Sequence, residues 1–347
     1  YVVNCAGMWA RELGERNGVA IPLQAAEHYY LITEEMPGVD PAWPVLEDPS
    51  CHGYYREEGG GLMVGLFEPV CAPWSVGGIP AGFSFGRIEP DWDRMTPYLE
   101  RAMGRVPATL DAGVRTFFCG PESFTPDLAP IVGRAPGLDG YFVAAGMNSV
   151  GILTGGGMGR IVAQWIVDGR PDVDVTGFDV ARMQHYQLNP RYRAERTVET
   201  LGLVYAPHVP GRQMTTARGI RRSALHDRLA AAGACFRDVS GWEGADWYGD
   251  GPAPDPGEPT WGRPSWFDRW AAEHRAIREG AGLMDMSFMT KVLVQGPDAG
   301  RLLDHVSANA VDREAGRITY TQWLDEAGHL QADLTVTGEQ FGLEGED

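Results

Sequence analysis

The stretch "AAGMNSVGILTGGGMG", residues 144–159, puts six glycines into sixteen positions between an apolar strand-like run and a helix-like run. Glycine admits positive φ and lets another group come close to the backbone, and a helix starting there offers free N–H groups to an acceptor or anion. Two uses compete: tight packing of the helix on a strand, and contact with a ligand. Two other places hold polar aromatic side chains. His28 lies in "EHYYLIT" beside Tyr29 and Tyr30, and Tyr54 and Tyr55 open another strand-like run, "YYRE". Each is either a satisfied sheet residue with its polar tip at a half-buried edge or a group able to move a proton.

Several known signatures fail on context. Gly82-Phe83-Ser84-Phe85-Gly86 has the hydrolase spacing G-x-S-x-G, but "GGIPAG" precedes it where a buried strand is required. There is no H-E-x-x-H, and no glycine precedes a lysine, so zinc-protease and P-loop chemistry have no support. The dinucleotide fingerprint also fails: Gly155-x-Gly157 meets Arg160 at the third position, and Gly157-x-Gly159 meets Val162. Cys5, Cys51, Cys71, Cys119 and Cys235 are scattered and form no C-x-x-C pair, which points away from both a disulfide framework and a metal site.

The elements that must position these residues are legible in part. Residues 1–6 read as a strand, followed by a turn at Gly7 and a helix ending near Gly18. Runs 27–33, 53–57 and 61–67 read as strands of an antiparallel sheet. Residues 91–106 read as a helix that Pro97 should kink or break. "TFFCGPESFTPDLAPIVG" reads as strand, structured loop, strand; 140–146 is a strand and 159–169 a helix burying Ile161, Val162, Trp165 and Ile166. After Pro171 apolar stripes thin out, as in a small connecting domain. A Pro/Gly-rich linker at 249–264 then leads to a helix and two strand runs, "KVLVQG" and "LQADLTVTG".

At 347 residues the chain has length for roughly two to three domains of about 150 residues. A net charge of −18 without a basic stripe argues against a nucleic-acid partner. No apolar run approaches the ~20 residues of a membrane-spanning helix. Lys291 is the only lysine, an arginine-for-lysine bias of bacterial character. The chain starts inside an apparent strand, "YVVNCAG", and stops just after another, so a piece of a longer protein is expected.

In this order "VVNCAGMWAREL", "EHYYLIT", "CGPESFTPD", "GYFVAAGMNSVGILTGGG", "AQWIVDGRP", "SALHDRLAAAGACF", "GLMDMSFMTK" and "YTQWLDEAGHLQADLTV" resemble the flavin-dependent dimethylglycine and sarcosine dehydrogenases along essentially the whole chain. The resemblance implies an α/β and α+β multidomain protein. Residues 1–170 would be the C-terminal half of a D-amino-acid-oxidase-type FAD domain with an antiparallel substrate sheet. Residues 171–225 would be a small middle domain, and 226–347 the start of an aminomethyltransferase-like folate domain. The phosphate-binding glycine unit and any flavin-carrying histidine would then precede Tyr1, and the rest of the folate domain would follow Asp347.

The resemblance further implies FAD contacts at Ala6, Gly7 and Trp9 and at Gly146, Met147, Asn148, Ser149, Val150, Gly151 and Ile152. Backbone donors of the second group would face the flavin edge that becomes negative on reduction. His28 and Tyr54, or Tyr55 if the register slips by one, would orient a small N-methylated glycine and keep its nitrogen neutral while hydride leaves the methyl carbon. Asp333 would stand near tetrahydrofolate, which captures the one-carbon unit. An electron-transfer flavoprotein is an implied partner. The implied location is the bacterial cytoplasm, or the mitochondrial matrix in a eukaryote. The pyruvate dehydrogenase phosphatase regulatory subunit is similar along the same architecture, so a non-catalytic, protein-binding role is the alternative.

Overall fold

Alternation along "QAAEHYYLIT" decides how the central sheet is built. In the computed structural model, which describes residues 1–252 and 254–338, the chain divides into two compact units, Tyr1–Asp285 and Met286–Asp347. The first unit opens with β1 (Val2–Asn4) and α1 (Ala10–Glu15), followed by β2 (Gln24–Thr33), β3 (Leu46–Asp48), β4 (Gly53–Glu58) and β5 (Gly61–Leu66). Next come α2 (Trp92–Arg105), β6 (Val114–Phe124), β7 (Ile131–Arg134), β8 (Tyr141–Ala145) and α3 (Gly151–Asp168). It closes with α4 (Pro190–Leu203), α5 (His226–Ala231), the hairpin β9 (Ala234–Val239) and β10 (Trp242–Tyr248), and α6 (Phe267–Glu279).

Two sheets carry the first unit. One is five-stranded, in the order β3-β4-β5-β2-β6, with antiparallel neighbours throughout. Strand side chains alternate between faces, and the register divides these residues cleanly. Tyr29, Leu31, Tyr55, Val64, Leu66 and Cys119 form one face and pack on Met95, Leu99 and Ala102 of α2. His28, Tyr30, Tyr54, Gly65, Phe118 and Gly120 fall on the other. The second sheet has the order β1-β8-β7, with β1 and β8 parallel and Asn4 opposite Val143.

Helix α2 runs through Pro97 without a break. Asp91 caps it by accepting a hydrogen bond from the Arg94 N–H at 2.9 Å, and the Thr96 hydroxyl donates to the Trp92 carbonyl at 2.7 Å. Pro97 is exposed and near the helix start, where the carbonyl it leaves free can meet water. Residues 171–225 supply α4, which packs within the first unit: Arg193 Nη1 donates to Gln24 Oε1 at 2.8 Å, and the Cys71 N–H bonds the Val198 carbonyl at 2.9 Å.

The second unit contains α7 (Ala299–Val306) and a hairpin of β11 (Ile318–Leu324) with β12 (Leu330–Thr337). "KVLVQG", expected as a strand, is irregular. Among the described residues no partner strand takes up its backbone, and Val292 and Leu293 are exposed. None of the described helices is long and apolar enough to cross a membrane.

Candidate active site

Because β1 and β8 are parallel, the turn after β1 and the loop after β8 leave the same edge of their sheet, the edge where α/β folds bind ligands. The first turn is held by Asn4, buried, whose Oδ1 accepts from Ala6 N–H at 3.2 Å and whose Nδ2 donates to the Ala10 carbonyl and to Tyr141 Oη, both at 3.0 Å. Gly7 there has φ +56°, a left-handed conformation that favours glycine.

The second loop is more constrained. Gly146 has φ +67°, and a Cβ on it would come within 2.5 Å of Thr125 Cγ2 and 2.7 Å of Leu23 Cδ2. Asn148 (φ 48°) and Ser149 (φ 73°) follow in the same sparsely populated region. Such strain persists only where surrounding structure enforces it, and here the Thr125 N–H donates to buried Asn148 Oδ1 at 2.8 Å.

Helix α3 begins at Gly151, eight residues before the expected start, so Gly155, Gly156, Gly157 and Gly159 lie inside it. A Cβ on any of them would meet nothing within 4 Å. The glycines therefore do not serve packing on a strand; Val162, Ile161, Trp165 and Ile166 do that, against Val132 and Phe142. No side chain caps the α3 N-terminus at Val150, which leaves its first backbone donors free of an internal partner.

On the open face of the five-stranded sheet lies a cleft of about 490 Å³, whose walls include Trp9, His28, Phe83, Phe118 and Glu122. Phe83, Phe85 and Gly86 of the G-x-S-x-G segment line it as irregular chain, not as a strand-to-helix elbow. His28 reaches the cleft from β2 and Glu122 from β6, with His28 Nε2 4.0 Å from Glu122 Oε2. Burial pushes the His28 imidazole down to about 4, so it is neutral at physiological pH, and its buried Nδ1 has no partner among the described residues. Burial also raises the Glu122 carboxyl, against one hydrogen bond donated by Ser149 Oγ at 2.8 Å. That bond ties the loop after β8 to the cleft.

Tyr54 does not line the cleft but stands one ring behind it. Its ring centroid is 6.0 Å from Phe67, which is 4.7 Å from His28 and stacks on Tyr205 at 4.1 Å. Burial, then the nearby Glu122 charge, raises the Tyr54 phenol. Its ring covers Gly65, where a Cβ would sit 1.9 Å from Tyr54 Cε1. Tyr55 lies on the opposite face, 3% exposed, and its hydroxyl donates to the Ala102 carbonyl at 2.7 Å. The structure therefore brings His28 and Ser149 to Glu122, leaves Tyr54 behind His28 across Phe67, and buries Tyr55 in the α2 core.

Asp333 lies in the second unit, exposed on β12, where Gln322 Nε2 donates to its Oδ1 at 3.2 Å. Glu122, Phe67 and Tyr205 are absent from the sequence reading. Parity along β6 could have found Glu122, since it pairs with Ala26 two residues before His28 pairs with Gly120. Tyr205 follows α4 and reaches the sheet through tertiary packing alone.

The residues present fit a flavin. Glycine-turn strand ends, helix donors without a side-chain cap and a neighbouring cleft with a neutral histidine are features that such a group could use. Comparison with known families agrees: residues 1–165 match the FAD dependent oxidoreductase domain, 168–223 the FAD dependent oxidoreductase central domain, and 225–340 the GCVT N-terminal domain.

Among curated proteins, 4-methylaminobutanoate oxidase (formaldehyde-forming) of Paenarthrobacter nicotinovorans is 41% identical, over 99% of this chain and 41% of its own length. Human mitochondrial sarcosine dehydrogenase is 35% identical, over 97% of this chain and 39% of its own length. The mouse pyruvate dehydrogenase phosphatase regulatory subunit is 34% identical over the same shares, 97% and 39%. The chain thus carries, in order, an FAD dependent oxidoreductase domain match, its central domain and a GCVT N-terminal domain match, and it is similar along nearly its whole length to 4-methylaminobutanoate oxidase and sarcosine dehydrogenase. It spans about two fifths of the length of these relatives.

Proposed function

We propose that the protein containing this chain oxidises the N-methyl group of a small N-methylated amino acid, sarcosine or dimethylglycine, and passes the one-carbon unit to tetrahydrofolate. The observation that carries the reading is the neutral His28, whose buried Nδ1 has no partner among the described residues, set in an aromatic cleft tied through Glu122 and Ser149 to the loop after β8. Bound FAD supplies the two-electron acceptor for hydride lost from the methyl carbon. This chain's residues would hold FAD with Ala6, Gly7 and Trp9 and with the backbone of Gly146–Ile152. Neutral His28 orients the amino acid by donating or accepting a hydrogen bond without adding a charge that would repel the amine. Tyr54, Phe67 and Tyr205 wall off water behind it.

The divisions 1–170, 171–225 and 226–347 form part of this proposal, supported by the three consecutive family matches. So do tetrahydrofolate bound near Asp333 and an electron-transfer flavoprotein as electron acceptor. The relative named as formaldehyde-forming makes the fate of the carbon a point of test.

The test is to mix the full-length flavoprotein anaerobically with sarcosine, dimethylglycine or 4-methylaminobutanoate and follow the visible flavin band. Bleaching by an N-methylated glycine, with methylene-tetrahydrofolate formed when tetrahydrofolate is added, is expected. Bleaching by 4-methylaminobutanoate alone would remove the glycine assignment. A purified protein without a flavin band would favour the protein-binding role instead.

A further inference from the structure

We propose that Glu122 anchors the substrate's ammonium group and accepts its proton before oxidation. The inference rests on the oxidation of an N-methylated amino acid and adds a residue to it. Glu122 is the one carboxylate on the cleft wall, and no arginine or lysine pairs with it among the described residues. The groups in contact with it are uncharged: the neutral His28, with Nε2 4.0 Å away, from β2 and the Ser149 hydroxyl at 2.8 Å from the loop after β8, while Tyr54 of β4 shares their sheet face.

A half-buried carboxylate with no cation beside it is disfavoured unless a ligand supplies one. The surfaces around it specify which cation. Trp9, Phe83 and Phe118 present aromatic rings to the same cleft, and ring faces attract methylated ammonium groups more readily than strongly hydrated ones.

The proton step balances within the site. An N–H bond of the ammonium breaks, an O–H bond forms on Glu122, and the electron pair stays on nitrogen as the lone pair that assists hydride loss. His28 is the weaker candidate for this step, because burial has already made its imidazole a poor base. Glu122, raised by the same burial, is a better one. Ser149 keeps the accepting oxygen in place by its 2.8 Å bond.

Glu122→Gln in the full FAD-loaded protein tests this with two readouts. The first uses trimethylammonioacetate, a fixed cation with no proton to lose, titrated by its perturbation of the flavin and tryptophan spectra. Glu122→Gln is expected to weaken this probe at least about tenfold, and Glu122→Asp, which keeps the charge, to recover most of the binding. The second is the pH profile of anaerobic flavin reduction. The wild type should level off well below the amine's own pKa, whereas Glu122→Gln should climb by roughly tenfold per pH unit toward that pKa. Flavin content and the unfolding midpoint check that each variant folds. Unchanged probe affinity in Glu122→Gln, or an unchanged pH profile, overturns the inference. If no N-methyl amino acid bleaches the wild-type flavin, the oxidation reading falls, and the probe comparison alone still decides the anchor.

Discussion

His28→Ala is expected to slow flavin reduction by an N-methylated amino acid roughly 10²-fold, with flavin content unchanged. The side chain sits between the cleft and the Phe67–Tyr205 stack, so its removal frees the substrate from one wall and opens a path for water behind it. The pH behaviour separates this role from that of a titrating base. The folded-state pKa of His28 is lowered from 6.5 to about 4, so between those values the unfolded chain binds more protons than the folded one. Stability from this residue is therefore fully present above about pH 6.5 and lost as pH falls toward 4. Over the same window the wild type should lose stability on acidification, and His28→Phe, which keeps the burial and removes the proton site, should lose less. Stopped-flow reduction and chemical unfolding at pH 4.5 and 7.5 read the two effects. Unchanged reduction in His28→Ala would return the residue to a structural role in the sheet.

Arg94→Ala is expected to cost about 3–5 kcal/mol of folding stability, because it strips a cation from buried acids. Arg94 on α2 donates to Glu68 Oε1 and to Glu27 Oε2, each at 3.0 Å, and its guanidinium lies 5.0 Å from the centroid of the Tyr29 ring. Glu68 is 1% exposed, and its Oε2 has no partner among the described residues. Burial lifts its carboxyl to about 7 even with Arg94 beside it. The sign follows: the folded chain binds more protons than the unfolded one between the ordinary carboxylate range and 7, so this contribution is present below that range and lost as pH rises through 7. Arg94→Ala should steepen that loss. Arg94→Met with Glu68→Gln should recover much of the stability, since a well-packed uncharged pair can replace a buried ion pair. Denaturant midpoints at pH 5 and pH 8 decide. A single variant within about 1 kcal/mol of wild type would show the network to be solvated.

The antiparallel sheet was legible because "EHYYLIT", "GYYRE" and "GLMVGLF" alternate at period two between turn residues. The same parity distinguishes Tyr54 from Tyr55: neighbours in a strand point to opposite faces, and only Tyr54 shares a face with His28. Glu122 was hidden by its neighbours. Gly120 and Pro121 read as a loop, yet β6 runs through them, because Pro121 pairs with Glu27 near the end of the edge strand, where a missing N–H is tolerated.

The start of α3 was misplaced for a related reason. Gly155, Gly156, Gly157 and Gly159 each lower helix propensity by about 1 kcal/mol relative to alanine, and only the apolar stripe at Val162, Trp165 and Ile166 marks the helix. At "KVLVQG" β-branched residues suggested a strand, but propensity without a partner strand does not build one. The α2 helix shows the reverse case, with Thr96 and exposure absorbing a proline that the sequence marks as a kink or a break.

The central claim is that the glycine-rich loop after β8 and the His28–Glu122 cleft serve one flavin. A crystal structure of the full-length protein with FAD bound tests it most directly. The flavin ring is expected to lie against the backbone of Gly146–Ile152, beside the turn at Ala6, Gly7 and Trp9, with its reactive face open to the cleft that holds His28 and Glu122. A ring bound away from residues 146–152, or turned from the sheet face that carries His28, would contradict it.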